Sequence, residues 1–516
     1  MHRNSVMQIQ RTTLSLLFYV SPVMSAGVHA LPADTPNIIV LYADDLGYGD
    51  VAAQNPESKI PTPGLDRLAS QSLRFNDGHS SSGICSPSRY ALLTGRHHWR
   101  DFHGIVGVFG PSKFVPERVT LPEMLQAKNY ATACIGKWHL GWDWPAIHKE
   151  GAKPETVGKR QVWAAGSFDW SLPIPDGPLA HGFDHYFGDT VINFPPYAWI
   201  EDDRVLKAPD RAMDSSQWKP IKEGQWECRP GPMVTGWDPY AVLPTTAAKS
   251  IEYIRSRKNK QQPFFLYIAF PSPHAPIIPS DAFDGKSEAG AYGDFVFETD
   301  DACARILKAL DESGQAENTI VIFTADNGPE QYAYARDERF GHWSAAPFRG
   351  LKRDIYEGGH HVPFFVRWPG VVEAGVSDAL VSQVDLMATL ASVVGAKLPD
   401  DAAEDSHDML PLWRGEVATV RTSHVHNTCQ DEYALRSGDW LLIAAKSGYV
   451  SRRNAKWEER HTTPADDDGL VELYNLAEDP GQRYDLAQHK PKLVSQLQKE
   501  LQLIRERGHS APRLAD

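Results

Sequence analysis

The stretch Cys85-Ser86-Pro87-Ser88-Arg89-Tyr90-Ala91-Leu92-Leu93-Thr94-Gly95-Arg96 decides how this 516-residue chain is read. Ser86 is a good helix N-cap, Pro87 suits the first helical position, and Gly95 suits the stop. The spacing predicts a short apolar helix with Cys85 at its N-terminus. Unpaired backbone N–H groups and the helix dipole favour an anion there. Arg89, one turn in, adds a permanent positive charge with forked donors. Such a place can hold a tetrahedral oxyanion against residue 85. A Cys-x-Pro alone reads more simply as a structural thiol beside a capped helix. Ser-Arg and Thr-Gly-Arg at this spacing turn the reading toward function.

Working outward, apolar runs of strand length end repeatedly in polar groups. Residues 37–43 read as a buried parallel strand and end in Asp44-Asp45. Residues 130–135 deliver Gly136-Lys137-Trp138-His139, and 263–270 end in Pro271-Ser272-Pro273-His274-Ala275-Pro276. Residues 319–325 end in Asp326-Asn327-Gly328. Open α/β sheets bind ligands at the carboxyl ends of their strands. Asp44, Asp45, Asp326 and Asn327 on one sheet edge would repel one another unless a cation joined them. They are hard oxygen donors, which favours Ca2+ over Zn2+, with Mg2+ as the alternative. Taken singly, Asp44-Asp45 has a simpler reading as a cap and a solvated turn, and Lys137 and His139 as a surface lysine beside a satisfied histidine. The repeated placement argues for a site.

Helical spacing over 63–73, 120–128, 245–257, 292–310 and 384–394 alternates with these strands. That predicts an α/β fold: a large, mostly parallel sheet flanked by helices. Residues 142–243 loosen into loop-rich sequence holding eight of the 15 tryptophans. Long irregular segments of this kind are usually functional, and stacking on sugar rings is a natural use. Packing is the simpler reading for any one of them. Short strands at 433–436, 440–444 and 470–474, with a helix over 491–505, predict a small C-terminal antiparallel sheet with a covering helix.

The N-terminus reads as a secretory signal. Arg3 and Arg11 precede an apolar run over 14–28, and Val28-His29-Ala30 fits a cleavage site. The expected organisation is a signal peptide at 1–30, a catalytic α/β domain at 31–415 with 142–243 as a substrate-side insertion, and an α+β subdomain at 416–516. No lipid-anchor cysteine follows the apolar run and no other stretch is long enough to span a bilayer, so a periplasmic or secreted protein is expected. Net charge is −14, which argues against nucleic acid or anionic lipid as partner. Five cysteines form no metal motif, and nothing pairs Cys134, Cys228, Cys303 and Cys429.

Cys85, Pro87, Ser88, Arg89, Thr94, Gly95 and Arg96 together resemble the signature of the type I sulfatases, whose cysteine is oxidised to formylglycine. Gly136-Lys137-Trp138-His139-Leu140-Gly141 resembles that family's second signature, and His181-Gly182-Phe183-Asp184-His185-Tyr186-Phe187-Gly188 one of its turns. Residues 347–359 resemble its basic segment, with Lys352 as the matching lysine, and 473–480 its C-terminal hairpin. The family often has Arg directly before Val362-Pro363; here His361 stands there.

The resemblance implies an arylsulfatase-like enzyme with an alkaline-phosphatase-like sheet. It would hydrolyse a sulfate monoester, most naturally on a carbohydrate. Asp44, Asp45, Asp326 and Asn327 would hold Ca2+ in contact with residue 85. Arg89 would steady the formylglycine hydrate, and Lys137 and Lys352 would clamp the sulfate. His274, alone or with Lys352, would bind the ester and protonate the leaving alcohol, and His139 would take the proton that releases sulfate. A formylglycine-generating or other maturating enzyme is the implied partner. A polyanionic ligand on an acidic chain must be met by a local basic pocket, which those lysines supply. Two readings compete: a phosphoester or phosphonate hydrolase of the same superfamily, and an unmodified, non-catalytic sulfated-glycan-binding protein.

Overall fold

The computed structural model describes residues 35–462 and 471–512. The signal reading at 1–30 and the start of the strand expected at 470 lie outside the described residues. Ten strands form one sheet: β1 (Asn37–Asp44), β2 (Leu73–His79), β3 (Ala131–Gly136), β4 (His185–Gly188), β5 (Ile200–Glu201), β6 (Arg204–Val205), β7 (Phe264–Pro273), β8 (Thr319–Ala325), β9 (Phe364–Arg367) and β10 (Gly375–Ser382). Their order across the sheet is β10-β2-β9-β8-β1-β7-β3-β4-β5-β6. The centre is parallel: β1 pairs with β7 and β8, and β7 with β3. β9 runs against both β8 and β2.

The apolar runs sit in the middle because both faces of the sheet are covered. Along β1, Ile38, Val40 and Tyr42 enter one hydrophobic cluster while Ile39, Leu41 and Ala43 enter the other, the period of two that a pleated strand imposes. Helices α1 (Pro63–Ser70), α2 (Cys85–Thr94), α3 (Val242–Ser256), α4 (Gly290–Glu312) and α5 (Leu386–Val394) divide between the faces. Tyr90 and Leu92 of α2 and Leu386 and Leu390 of α5 pack on the first face. Leu65 of α1, Ile254 of α3 and Ile306 of α4 pack on the second.

The C-terminal region forms a four-stranded antiparallel sheet of β11 (Ser423–Asn427), β12 (Tyr433–Ser437), β13 (Trp440–Ala444) and β14 (Glu472–Asn475). Helix α6 (Pro491–Glu506) lays Val494, Leu497, Leu501 and Ile504 on it. Strand β11 was not expected. In 142–243, Trp142, Trp144 and Trp237 are core residues, and Trp163, Trp170, Trp199, Trp218 and Trp226 pack against the core from its margin. Packing accounts for the three core indoles; the other five pack with part of each residue left exposed. All five cysteines are free thiols. Among the described residues no helix is long and apolar enough to cross a membrane.

Candidate active site

Helix α2 begins at Cys85 itself, with Ile84 as the capping residue. Ser86 is therefore not the N-cap. Its hydroxyl donates to the carbonyl of His139 (2.8 Å) and accepts from the amide of Val106 (3.1 Å). These bonds draw the side chain away from its own helix end and tie the α2 terminus to the loop carrying His139. Pro87 lies in the first turn, where its missing N–H has no intrahelical partner to lose. Gly95 ends the helix in the left-handed region at φ 65°, as expected. All of α2 is buried, so Cys85 sits inside the molecule.

The strand ends converge on it. The ligating atoms of Asp44, Asp45, Cys85 and His274 all lie within 4.8 Å of one another. The β1–β7 register shifts between Tyr42 and Asp44, and Asp45 takes a left-handed φ of 64°. Two bonds hold that unusual backbone. The Tyr292 hydroxyl donates to the Asp45 carbonyl (2.9 Å), and the Asp45 amide donates to Asp326 Oδ1 (3.1 Å). Asn327 Nδ2 donates to Asp45 Oδ1 (2.8 Å).

Three cations surround the carboxylates. Arg89 sends Nε (3.1 Å) and Nη2 (2.7 Å) to Asp326 Oδ2, and its Nη1 reaches the Lys137 carbonyl (3.2 Å). Lys137 Nζ donates to Asp44 Oδ2 (2.6 Å). It is delivered by Gly136, whose φ of 109° and near contact with the Ala269 carbonyl leave no room for a side chain. Lys352 Nζ donates to Asp45 Oδ2 (2.7 Å) and lies 3.6 Å from Glu330. Burial alone would lower Lys352, but the Asp45 charge prevails and holds it above the ordinary lysine range.

Both histidines have one assigned nitrogen and one free. His274 Nδ1 donates to the Ala275 carbonyl (2.5 Å), which leaves Nε2 3.7 Å from Asp45. His139 Nε2 donates to the Val106 carbonyl (3.0 Å), and its buried Nδ1 has no partner. Burial, reinforced by the neighbouring lysines, depresses both imidazoles far below their usual range. Burial also pushes the Cys85 thiol up to about 12, so the thiol itself is not an ionised nucleophile at neutral pH.

The donor set fits a hard divalent cation. Asp44 Oδ1 and Asn327 Oδ1 are buried without a hydrogen-bond partner. Burial and its acidic neighbours push Asp45 up to about 7. Asp326 is likewise raised, by burial first and by Asp44 second. Burial works to raise Asp44 too, but Lys137 and Arg89 hold it low. One ionised and two reluctant carboxylates, with free oxygens between them, are an arrangement a doubly charged ion relieves.

His361 takes no part in this site. Its Nδ1 faces Glu357 (2.8 Å), its Nε2 faces the Asn76 carbonyl (2.7 Å), and its ring stacks on Phe348. Two neighbours escaped sequence reading. Glu330 lies beside Lys352 and pairs with Arg353 (2.7 Å); burial works to raise it, but the two cations hold it at about 2. Asp189 is buried with both carboxylate oxygens unpartnered, and burial raises it to about 7 despite the Lys137 charge. It follows the end of β4, the same placement that singled out Asp44 and Asp326, and that signal could have found it.

The family model described as Sulfatase matches residues 36–396. N-acetylgalactosamine-6-O-sulfatase of Bacteroides thetaiotaomicron is 30% identical over 505 residues, covering 92% of this chain and 93% of that protein. Human arylsulfatase A is 32% identical over 497 residues, covering 92% and 88%. A B. thetaiotaomicron sulfatase solved in the context of glycosaminoglycan metabolism superposes with a TM-score of 0.74 at 28% identity, covering 92% of this chain and 100% of that one. The mixed ten-stranded sheet is thus the alkaline-phosphatase-like sheet of these enzymes. The chain belongs to the sulfatase family and is a sulfuric ester hydrolase.

Proposed function

We propose that the chain hydrolyses a sulfate monoester on a carbohydrate, using formylglycine formed from Cys85 and a Ca2+ ion held by Asp44, Asp45, Asp326 and Asn327. The observation that carries this reading is the gathering of Cys85, Asp44, Asp45 and His274 within 4.8 Å, inside a ring of buried cations. Mg2+ fits the same oxygens less well, since four protein ligands leave little of the water shell it keeps. A bound divalent ion supplies charge neutralisation and polarises the ester. A formylglycine hydrate supplies a hydroxyl nucleophile, and a second hydroxyl whose deprotonation frees the sulfate again.

The chain's own residues do the rest. Arg89, fixed by Asp326 and the Lys137 carbonyl, holds residue 85 in place. Lys137 and Lys352 carry ammonium groups at the site and pair with the sulfate oxygens, stabilising charge as it develops. With its Nδ1–H committed to Ala275, His274 turns Nε2 toward the leaving oxygen. Burial and the lysine charges depress the free imidazole; an anionic ester bound there would offset those charges and load Nε2 with the proton it gives up. His139 presents Nδ1 as a base because its Nε2–H is committed to Val106. Against burial, Asp45 keeps Lys352 protonated, and Glu330, 3.6 Å away, adds to that hold.

The relatives named as N-acetylgalactosamine-6-sulfatases make N-acetylgalactosamine 6-sulfate the first substrate to assay. A sulfatase-maturating enzyme would act on Cys85 before α2 is buried. Export by the 1–30 signal places the mature protein, with its catalytic region to about 415 and its C-terminal subdomain, in the periplasm or outside the cell. The test is sulfate release from 6-sulfated N-acetylgalactosamine against phosphate release from the matched phosphate ester. Sulfate release should dominate; faster phosphate release would assign the chain to the phosphoester branch instead.

A further inference from the structure

A second cluster of ligating side chains lies away from Cys85, where the C-terminal sheet meets the large one. His79 ends β2, Glu357 and His360 sit on the one-turn helix Glu357–His360, and His426 lies on β11. All four are buried, and their ligating atoms lie within 4.8 Å of one another. Hydrogen bonds fix two of the tautomers. His79 Nε2 faces the Asp77 carboxylate (2.6 Å) and His360 Nε2 faces the Ile355 carbonyl (3.2 Å), so each of these nitrogens carries the proton. The two Nδ1 lone pairs are left 3.2 Å apart, facing each other. Two acceptors at that distance with no proton between them repel. Neither nitrogen of His426 has a partner, and Glu357 Oε1 has none either. Buried polar atoms are almost always satisfied, so four side chains carrying such atoms within 4.8 Å of one another call for a common partner.

We propose that this cluster is a resident transition-metal site of the zinc class, held by His79, Glu357, His360 and His426. Imidazole nitrogens with one carboxylate suit Zn2+ and its neighbours, unlike the all-oxygen set beside Cys85. Ligating histidines normally donate their second N–H to a carboxylate or a carbonyl, as His79 does to Asp77 and His360 to Ile355. A tetrahedral ion with bonds of about 2.0–2.1 Å sets its donor atoms ~3.3 Å apart, close to the spacing already found between His79 and His360. His426 stacks on His360 with ring centroids 3.5 Å apart. Its ring holds no hydrogen bond, so turning it to ligate breaks none. The ion would join three parts of the chain: the strand leading to α2, the helix following Lys352, and the C-terminal sheet.

The test uses the full chain expressed in zinc-supplemented medium and dialysed exhaustively against chelator-free, metal-free buffer. Elemental analysis should find roughly one equivalent of a zinc-class metal retained per chain. The cobalt-substituted protein should show the strong visible absorption of a four-coordinate site. Asp326→Asn, which alters the oxygen set beside Cys85, should keep that metal; His426→Gln, checked for native circular dichroism, should lose it. Wild-type protein that retains no such metal and gives no cobalt spectrum would overturn the proposal, leaving a proton shared between His79 and His360. Loss of the metal in Asp326→Asn but not in His426→Gln would overturn it equally.

Discussion

Arg89→Met isolates the electrostatics of the site. The arginine is wholly buried and makes four polar contacts with three neighbours: two bonds to Asp326 Oδ2 at 3.1 and 2.7 Å, one to the Lys137 carbonyl at 3.2 Å, and an approach to Asp44 Oδ1 at 3.7 Å. Methionine keeps the stem and removes the charge. Asp326 then retains the Asp45 amide but no cation in direct contact. Stranding one partner of a buried ion pair costs about 3–5 kcal/mol. A bound divalent ion neutralises the same carboxylate, so the loss should shrink when calcium is present. Saturation at about a hundred times the dissociation constant contributes ~2.7 kcal/mol of its own. Urea denaturation followed by tryptophan fluorescence, in EGTA and in excess calcium, measures both quantities. A loss below about 1 kcal/mol in EGTA, the scale of an exposed ion pair, would refute the reasoning. So would equal losses with and without calcium.

Further outcomes follow from the same contacts. His274→Ala should lower kcat/KM on alkyl sulfates by roughly 10²–10⁴-fold, the usual contribution of a general acid, and far less on nitrophenyl sulfate, whose leaving group needs no proton; equal losses on both substrates would remove His274 from that role. His139→Ala should give a burst of alcohol followed by a stall in sulfate release, and steady release of both products at the original rate would sink the base assignment. Asp300 accepts the amides of Gly64 and Leu65 at the start of α1, and burial raises it to about 7. Between the unfolded carboxylate value near 4 and about 7, the folded chain binds the extra proton, so this group weakens the fold as pH rises. Asp300→Asn removes that penalty: its stability relative to wild type should improve from pH 4 to pH 8, and a pH-independent difference would contradict the shift.

Much of the site was legible because each part has a local signature. Apolar runs on both faces marked the central strands, and the polar residues closing them marked Asp44, Lys137, His274 and Asp326. The helix start was read two residues late, at Pro87 behind a Ser86 cap, because Ser86 gives its hydroxyl to His139 and Val106 rather than to its own helix end. β10 was missed because its first half is largely exposed and carries no alternation. Glu330 and the His79–His426 cluster were illegible for a different reason. Their partners come from separate elements, and no spacing within one segment records a contact made only by the fold. His361 shows the converse: it stands where the resembled family often has Arg, and its ring is spent on Glu357 and Asn76.

The central claim is that Cys85 works as an oxidised residue beside a gathered cation, not as a thiol. The most direct test is the mass of the tryptic peptide containing residue 85, taken from active protein purified from its native host. The account predicts the aldehyde, lighter than the thiol form, in proportion to specific activity across fractions. Full activity in protein whose residue 85 is an intact thiol would contradict it.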